Sequence, residues 1–520
     1  MSQPQNVSTP PSSAQLASQI EGRAVSNLKG YLTKERSFLS GHNNYDDFID
    51  KCIKAEEAAE SATAKAQDKK LWGDYQRATK LLVQARAGLL RVLWRHDVYL
   101  SSNVVDRLLF EFACDASVTD LIDTFFSFVL DRGLHNPGFV LYPVHSFGIQ
   151  GFGFLGLLET STPHVDLRSA GIILTPQTNS KEKTLDFIDQ VRAALGITQT
   201  VPCDFQWEFN SEVLAWLTKN PLLAVRMSSV TSGYYENQLI IVVKLRIATA
   251  LVLMLATMGD TDRSNPDDYN LSTTRTNNWE TLDINHYIVF EIGTAVGDNT
   301  LDVRRTPMNL SRTELATLSD LNVDIDPLDW TKPERQALLH KITYGVAELE
   351  RGYLSDWILG DRKSTRAKVF RKLYLSVSYF HRSFRSTQQT DESTVALAVA
   401  FETLLTDGYQ RGGVKARVAR RVAICVAGQA DESSIKSEVG KLMERRGEVV
   451  HEGASDISVD LNAARRAYVL CFLEVVAKLP QLTPGLSQPV GHLLGDVYVP
   501  RARWARFAAY LRGVWKRAAA

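Results

Sequence analysis

From Pro333 onward the apolar residues recur at three- and four-residue spacing, and strand signals vanish. That periodicity constrains the fold strongly, because a helix buries one residue in three or four whereas a half-buried strand buries every second one. Residues 333–357 read as one helix. Val369, Leu373, Val377, Phe380 and Phe384 form the stripe of the next, and Leu397, Phe401, Leu404 and Leu405 that of a third. Val414, Val418, Val422 and Cys425 mark a fourth, opened by Gly412-Gly413. Ile435, Val439, Leu442 and Met443 mark a fifth, with Ser433 or Ser434 as N-cap. Asp460 caps the last, whose core face is Ala464, Tyr468, Cys471 and Val475. Short loops between amphipathic helices imply an antiparallel bundle.

Upstream the pattern is mixed. Helices are expected over 46–70, 74–96, 103–132 and 181–195, with two or three more in 212–257. Short apolar segments bounded by Gly or Pro, at 139–144, 152–158, 171–175 and 286–293, read as strands. The opening MSQPQNVSTPPSSAQ has neither a basic start nor an apolar run, so it is not read as a signal peptide. Residues 1–40 are expected to be a flexible polar tail. The fold class is therefore mostly α: a mixed α/β and helical module over 41–340, expected to sense or restrain, a helical bundle over 346–480, and a basic aromatic helix over 481–520.

The 520 residues are 44% apolar and 23% charged, enough for a sizeable core. Lys and Arg total 59 against 59 Asp and Glu, which excludes a chain-wide basic coat for nucleic acid. Locally the balance differs: residues 361–421 hold thirteen Lys/Arg and five Asp/Glu. Arg417, Arg420 and Arg421, with Arg445 further on, are candidates for phosphate contact. The last twenty residues add six basic side chains interleaved with Trp504, Phe507, Tyr510 and Trp515. The five cysteines share no metal-ligand spacing and read as reduced thiols of a cytoplasmic protein. The apolar run Leu239 to Met258 carries Lys244 and Arg246, leaving about twelve clean residues where a span needs about twenty. It reads as a buried core helix, with no stable membrane span.

Few motifs carry chemistry. Gly151-Phe-Gly153-Phe-Leu-Gly156 matches GxGxxG but runs into Thr160-Ser-Thr-Pro163 instead of a long helix, so it reads as a Gly-rich hairpin. The acidic loop 260–268 lacks the Gly and closing Glu of a calcium site. There is no P-loop, HExxH or GxSxG. No carboxylate or Cys/His cluster is spaced to hold a divalent ion, and neither metal nor cofactor is expected. The sharpest string is Glu444-Arg445-Arg446-Gly447-Glu448-Val449-Val450-His451-Glu452-Gly453, at the end of the fifth helix, with Gly453 as terminator. Arg supplies a permanent planar cation for phosphate, and His a proton donor or acceptor near neutral pH. Five residues advance about 500° around a helix, so the pair stacks only if the last turn unwinds or both project toward a symmetry mate.

Within 363–479, the segments Val395-Ala-Leu-Ala-Val-Ala-Phe-Glu402-Thr-Leu-Leu405, 414–425 and Leu442 to Gly453 resemble the HEPN superfamily, especially the ApeA-like HEPN domain. The family pattern is Arg, a polar residue, three variable positions, then His. By that match Arg446 and His451 take the motif positions, Glu402 takes an acidic position that orients them, and Gly447 stands where the family has a polar residue. The resemblance implies a dimeric, metal-independent endoribonuclease of a prokaryotic defence or toxin system, with RNA as substrate and a phage-derived or cellular trigger. Other HEPN members are non-catalytic and only bind RNA or protein.

Overall fold

The computed structural model describes residues 12–497, apart from 21, 132–136, 150–163, 168–169, 206–213, 215, 229, 232–233, 260–283, 293–298, 386–389, 409–412 and 454. Helices come first: α1 (Ser13–Ser18), α2 (Gly22–Leu39), α3 (Tyr45–Glu60) and α4 (Ala66–Arg95). After the two-residue strand β1 (Tyr99–Leu100) follow α5 (Ser102–Cys114) and α6 (Leu121–Asp131). The expected tail over 1–40 is thus corrected: from Ser13 the chain is helical, and Leu16, Leu28, Tyr31 and Leu39 are buried. Glu35 interrupts that stripe in sequence, yet it is buried too, with Arg77 Nε donating to it at 2.7 Å. The helix expected over 103–132 is two, because the Asp115 and Asp120 side chains accept backbone N–H groups between them and start a new helix.

A mixed region follows: β2 (Pro137–Pro143), β3 (His145–Ile149), β4 (Val165–Leu167), β5 (Ile172–Thr175), α7 (Lys181–Ala194), α8 (Trp216–Lys219), β6 (Leu222–Ser228) and β7 (Val230–Thr231). Then come α9 (Tyr234–Met258), β8 (His286–Ile292) and β9 (Leu301–Pro307). Six strands form one antiparallel sheet in the order β4-β5-β6-β2-β8-β9. Alternate residues serve its two faces, as the pleat requires. Val140, Tyr142, Leu174, Leu223 and Val225 join the main core, while Phe139, Leu141, Ile173, Ala224 and Phe290 meet α7 in a second, smaller one. Burial on both faces explains why β6 was expected to be helical: its run Leu-Leu-Ala-Val shows no alternation to read. The sole described helix apolar and long enough to cross a bilayer, Gln238–Met258 of α9, is 78% buried inside the protein, as the core-helix reading requires. The 152–158 strand, the GxGxxG string, the acidic loop and the basic aromatic stretch 501–517 lie outside the described residues.

The C-terminal part holds α10 (Arg312–Ser319), β10 (Asp320–Ile325), which pairs in parallel with β3, and α11 (Pro333–Gly352), continued by a π-helical turn (Tyr353–Ile358). After it come α12 (Thr365–Arg382), α13 (Thr390–Leu405), α14 (Val414–Cys425), α15 (Glu432–Glu452), α16 (Leu461–Ala477) and α17 (Pro489–Leu494). The five long helices from α12 to α16 pack on one another as their stripes require. Asp460 caps α16 by accepting from Asn462 and Ala463, and the cap of α15 is Asp431 instead of Ser433 or Ser434.

The expected division near 340–346 falls inside α11, which packs on both α9 and α16. One continuous core runs from Leu16 to Leu494. Polar ties cross the same boundary. Buried Lys244 of α9 donates to Asp97 at 3.1 Å and to Glu350 of α11 at 2.6 Å. Buried His381 of α12 donates through Nε2 to the Asp320 carbonyl of β10 at 2.9 Å.

Candidate functional site

Arg446 sits where the α15 core stripe would place an apolar side chain. Ile435, Val439 and Leu442 are buried, and Arg446 is the next position in that three-and-four register. It is therefore drawn inward, with the side chain 31% exposed, and its guanidinium lies 3.6 Å from the Glu402 carboxylate of α13. Arg446 Nε is enclosed and has no hydrogen-bond partner among the described residues. A guanidinium beside one carboxylate, with its side chain still partly exposed, suits an anion better than a saturated ion pair would.

His451 lies about 1.4 turns further along the same helix and is exposed. The α15 helix does not unwind: it is intact through Glu452 and ends at Gly453, whose φ of 82° is the left-handed terminator expected there. Five residues of unbroken helix put His451 about 140° around the axis from Arg446. Within one chain the structure does not bring the two motif residues together. Arg446 and Glu402 are the pair it does bring together.

The four arginines expected to touch RNA divide differently from that expectation. Arg445 donates to Asp391 at 2.7 and 3.0 Å and to the Ile457 carbonyl at 2.8 Å, which fixes the start of α13 and the 455–460 segment against α15. Arg421 has a side chain only 1% exposed, donating to Asp407 at 2.9 Å, to the Asp496 carboxylate at 3.0 Å and to the Leu405 carbonyl at 2.6 Å. Arg417 is buried as well. Arg420 alone is exposed, and it meets Asp496 at 3.3 Å. Arg417 and Arg421 are thus corrected from surface contacts to interior groups. Burial alone would raise the Asp496 pKa, but hydrogen bonds from Arg420 and Arg421 outweigh it and hold the carboxyl below its ordinary value.

Around Gly447 there is open space: a Cβ built there would meet nothing within 4 Å. One turn on, Val450 is 51% exposed, an apolar side chain left on the surface beside His451. Among the described residues no group of three or more His, Cys, Asp or Glu gathers to hold a metal ion. No family model, curated protein or solved structure matches the chain. The HEPN resemblance accordingly rests on the three segments quoted above.

Proposed function

We propose that the C-terminal helices act on RNA as a metal-independent endoribonuclease, with Arg446 meeting the phosphate and His451 moving the proton. The observation that carries this reading is the half-buried Arg446 guanidinium, 3.6 Å from the Glu402 carboxylate and with its side chain still 31% exposed. In the reaction the RNA 2′-oxygen attacks its neighbouring phosphorus and the 5′-oxygen leaves, giving a 2′,3′-cyclic phosphate and a 5′-hydroxyl. His451 takes the 2′-proton or gives one to the leaving oxygen, and Arg446 meets the charge on the phosphorane. Because one helix holds the two residues apart, the site needs a second copy, with Arg446 of one chain and His451 of the other around a shared cleft. Exposed Val450 and the open space at Gly447 give such a copy an apolar place to pack. By resemblance, the setting is a prokaryotic defence or toxin system.

The second reading is a HEPN-type module that associates and binds without cleaving, favoured by the intact last turn of α15 and by Gly447 in place of a polar residue. The test incubates the full-length protein and its variants with a defined RNA. His451→Ala is expected to lower the cleavage rate by about 10²–10⁴. Arg446→Lys is expected to fail as well, since an ammonium lacks the bidentate fork. Products should end in 2′,3′-cyclic phosphate, and sedimentation should show a dimer. Cleavage retained by His451→Ala, or abolished by EDTA, rejects the nuclease reading. Dimerisation and RNA binding without cleavage establish the second.

A further inference from the structure

We infer that the outer face of α12, together with the π-helical turn before it, is a binding surface for single-stranded RNA. The basic excess over 361–421 divides into paired and unpaired side chains. Arg366 is held by Asp356 and Glu348, Lys415 by Glu444, Arg420 and Arg421 by Asp496, and Arg385 by the Thr313 carbonyl. Arg362, Lys363, Lys368, Arg371 and Arg382 remain exposed, with no carboxylate in salt-bridge contact among the described residues. Lys368, Arg371 and Arg382 follow one another at helical spacing on one face of α12, over roughly 21 Å at 1.5 Å per residue. The acidic groups nearby are Asp356 and Glu348, both paired with Arg366, together with Asp361, whose carboxylate accepts the Lys363 N–H, and Glu314, which feels the Arg382 charge.

Aromatic rings hold the three arginines in place. Arg362 and Arg371 lie 5.3 and 4.8 Å from the Trp357 ring centre, and Arg382 lies 5.1 Å from that of Tyr379. The π-helical turn carries Trp357 at this corner. It is wedged between two glycines where a side chain would collide, Gly352 with the Phe370 ring and Gly360 with the Asp356 backbone. A guanidinium lying on a ring keeps its N–H fork free and has already lost much of its rotamer freedom, which favours binding a phosphate. Trp357, Tyr379 and the exposed Leu375 add apolar contact for unpaired bases, which a duplex conceals. The choice of RNA over DNA rests on the function proposed above; the surface itself rests on the arginine–aromatic geometry.

The test follows the anisotropy of a fluorescein-labelled RNA 20-mer added to full-length protein, with cleavage scored in parallel. R362E/R371E changes two exposed side chains, and an unchanged thermal melt verifies its fold. It is expected to weaken binding at least tenfold and to flatten the slope of log affinity against log salt by about 1.4, at about 0.7 per phosphate contact for single strands. Trp357→Ala should weaken binding in the same direction. Binding unchanged in R362E/R371E but lost in Arg446→Ala overturns this surface and leaves the nuclease reading standing. Binding lost in R362E/R371E, with no cleavage by the unmodified protein, upholds the surface and rejects the nuclease. Tighter binding of a DNA 20-mer, or of phosphatidylserine vesicles, overturns the assignment to RNA.

Discussion

Arg421 and Arg420 are neighbours in sequence with opposite environments. Arg421 carries its charge into the interior, where Asp407 and Asp496 flank it and the Leu405 carbonyl takes a further N–H. Asp407 also accepts the backbone N–H groups of Val490 and Gly491, so one cluster fixes α17 against α14 and the end of α13. Arg421→Met would leave Asp407, itself 5% exposed, without the cation in contact with it and with only the Val490 and Gly491 N–H groups to hold its charge. Removing one partner from such a cluster costs about 3–5 kcal/mol. Urea unfolding of the variant should therefore show a clearly lower midpoint, and a midpoint within error of the parent would contradict the role given to this cluster. Arg420→Met, at the surface, should change stability by less than about 1 kcal/mol.

At the scale of elements, α15 combines a strong core stripe with two interior glycines, Gly440 and Gly447, neither of which has a neighbour within 4 Å of a Cβ position. Glycine in a helix interior costs about 1 kcal/mol relative to alanine when nothing else requires it. Gly447→Ala should then raise stability by about that amount, read as a higher thermal midpoint. A loss of stability would mean that Gly447 serves a close approach within the chain. If α15 meets a second copy at this turn, the same substitution should weaken the dimer while stabilising the chain. The π-helical turn after α11 makes the opposite use of glycine: at Gly352 the Phe370 ring fills the space, and a methyl group has no room.

Across the whole molecule, α9 and the polar ties around it join the sheet region to the C-terminal helices. His381 reports on that junction. Burial pushes its pKa down to about 4, although the bond to the Asp320 carbonyl acts in the other direction. The unfolded chain, with a histidine pKa of about 6.5, binds the proton more tightly than the native state. Its contribution is therefore full above pH 6.5 and declines as the pH falls from 6.5 toward 4, by about 3 kcal/mol in all. Unfolding free energies measured across that window should fall less steeply in His381→Gln than in the parent. Parallel profiles would show that the imidazole is not neutral and buried at this junction.

The sequence alone determined the helices from α12 to α16, their order, the Gly453 terminator and the Asp460 cap, because helical periodicity and end signals are local. It also determined the angular separation of Arg446 and His451, which follows from five residues at 3.6 per turn. Tertiary structure decided the rest. Strand β6 was hidden because both of its faces are covered, and helix α2 because buried Glu35 breaks its stripe until Arg77 is seen beside it. The boundary expected near 340–346 falls inside α11, and α9 packs on helices from both sides of it. Which arginines face water was equally invisible: thirteen basic residues in a row of segments look alike until Asp407, Asp496, Glu444, Asp356 and Glu348 are placed beside some of them. Charge partners meet across long sequence separations, so their pairing belongs to the fold and not to the spacing along the chain.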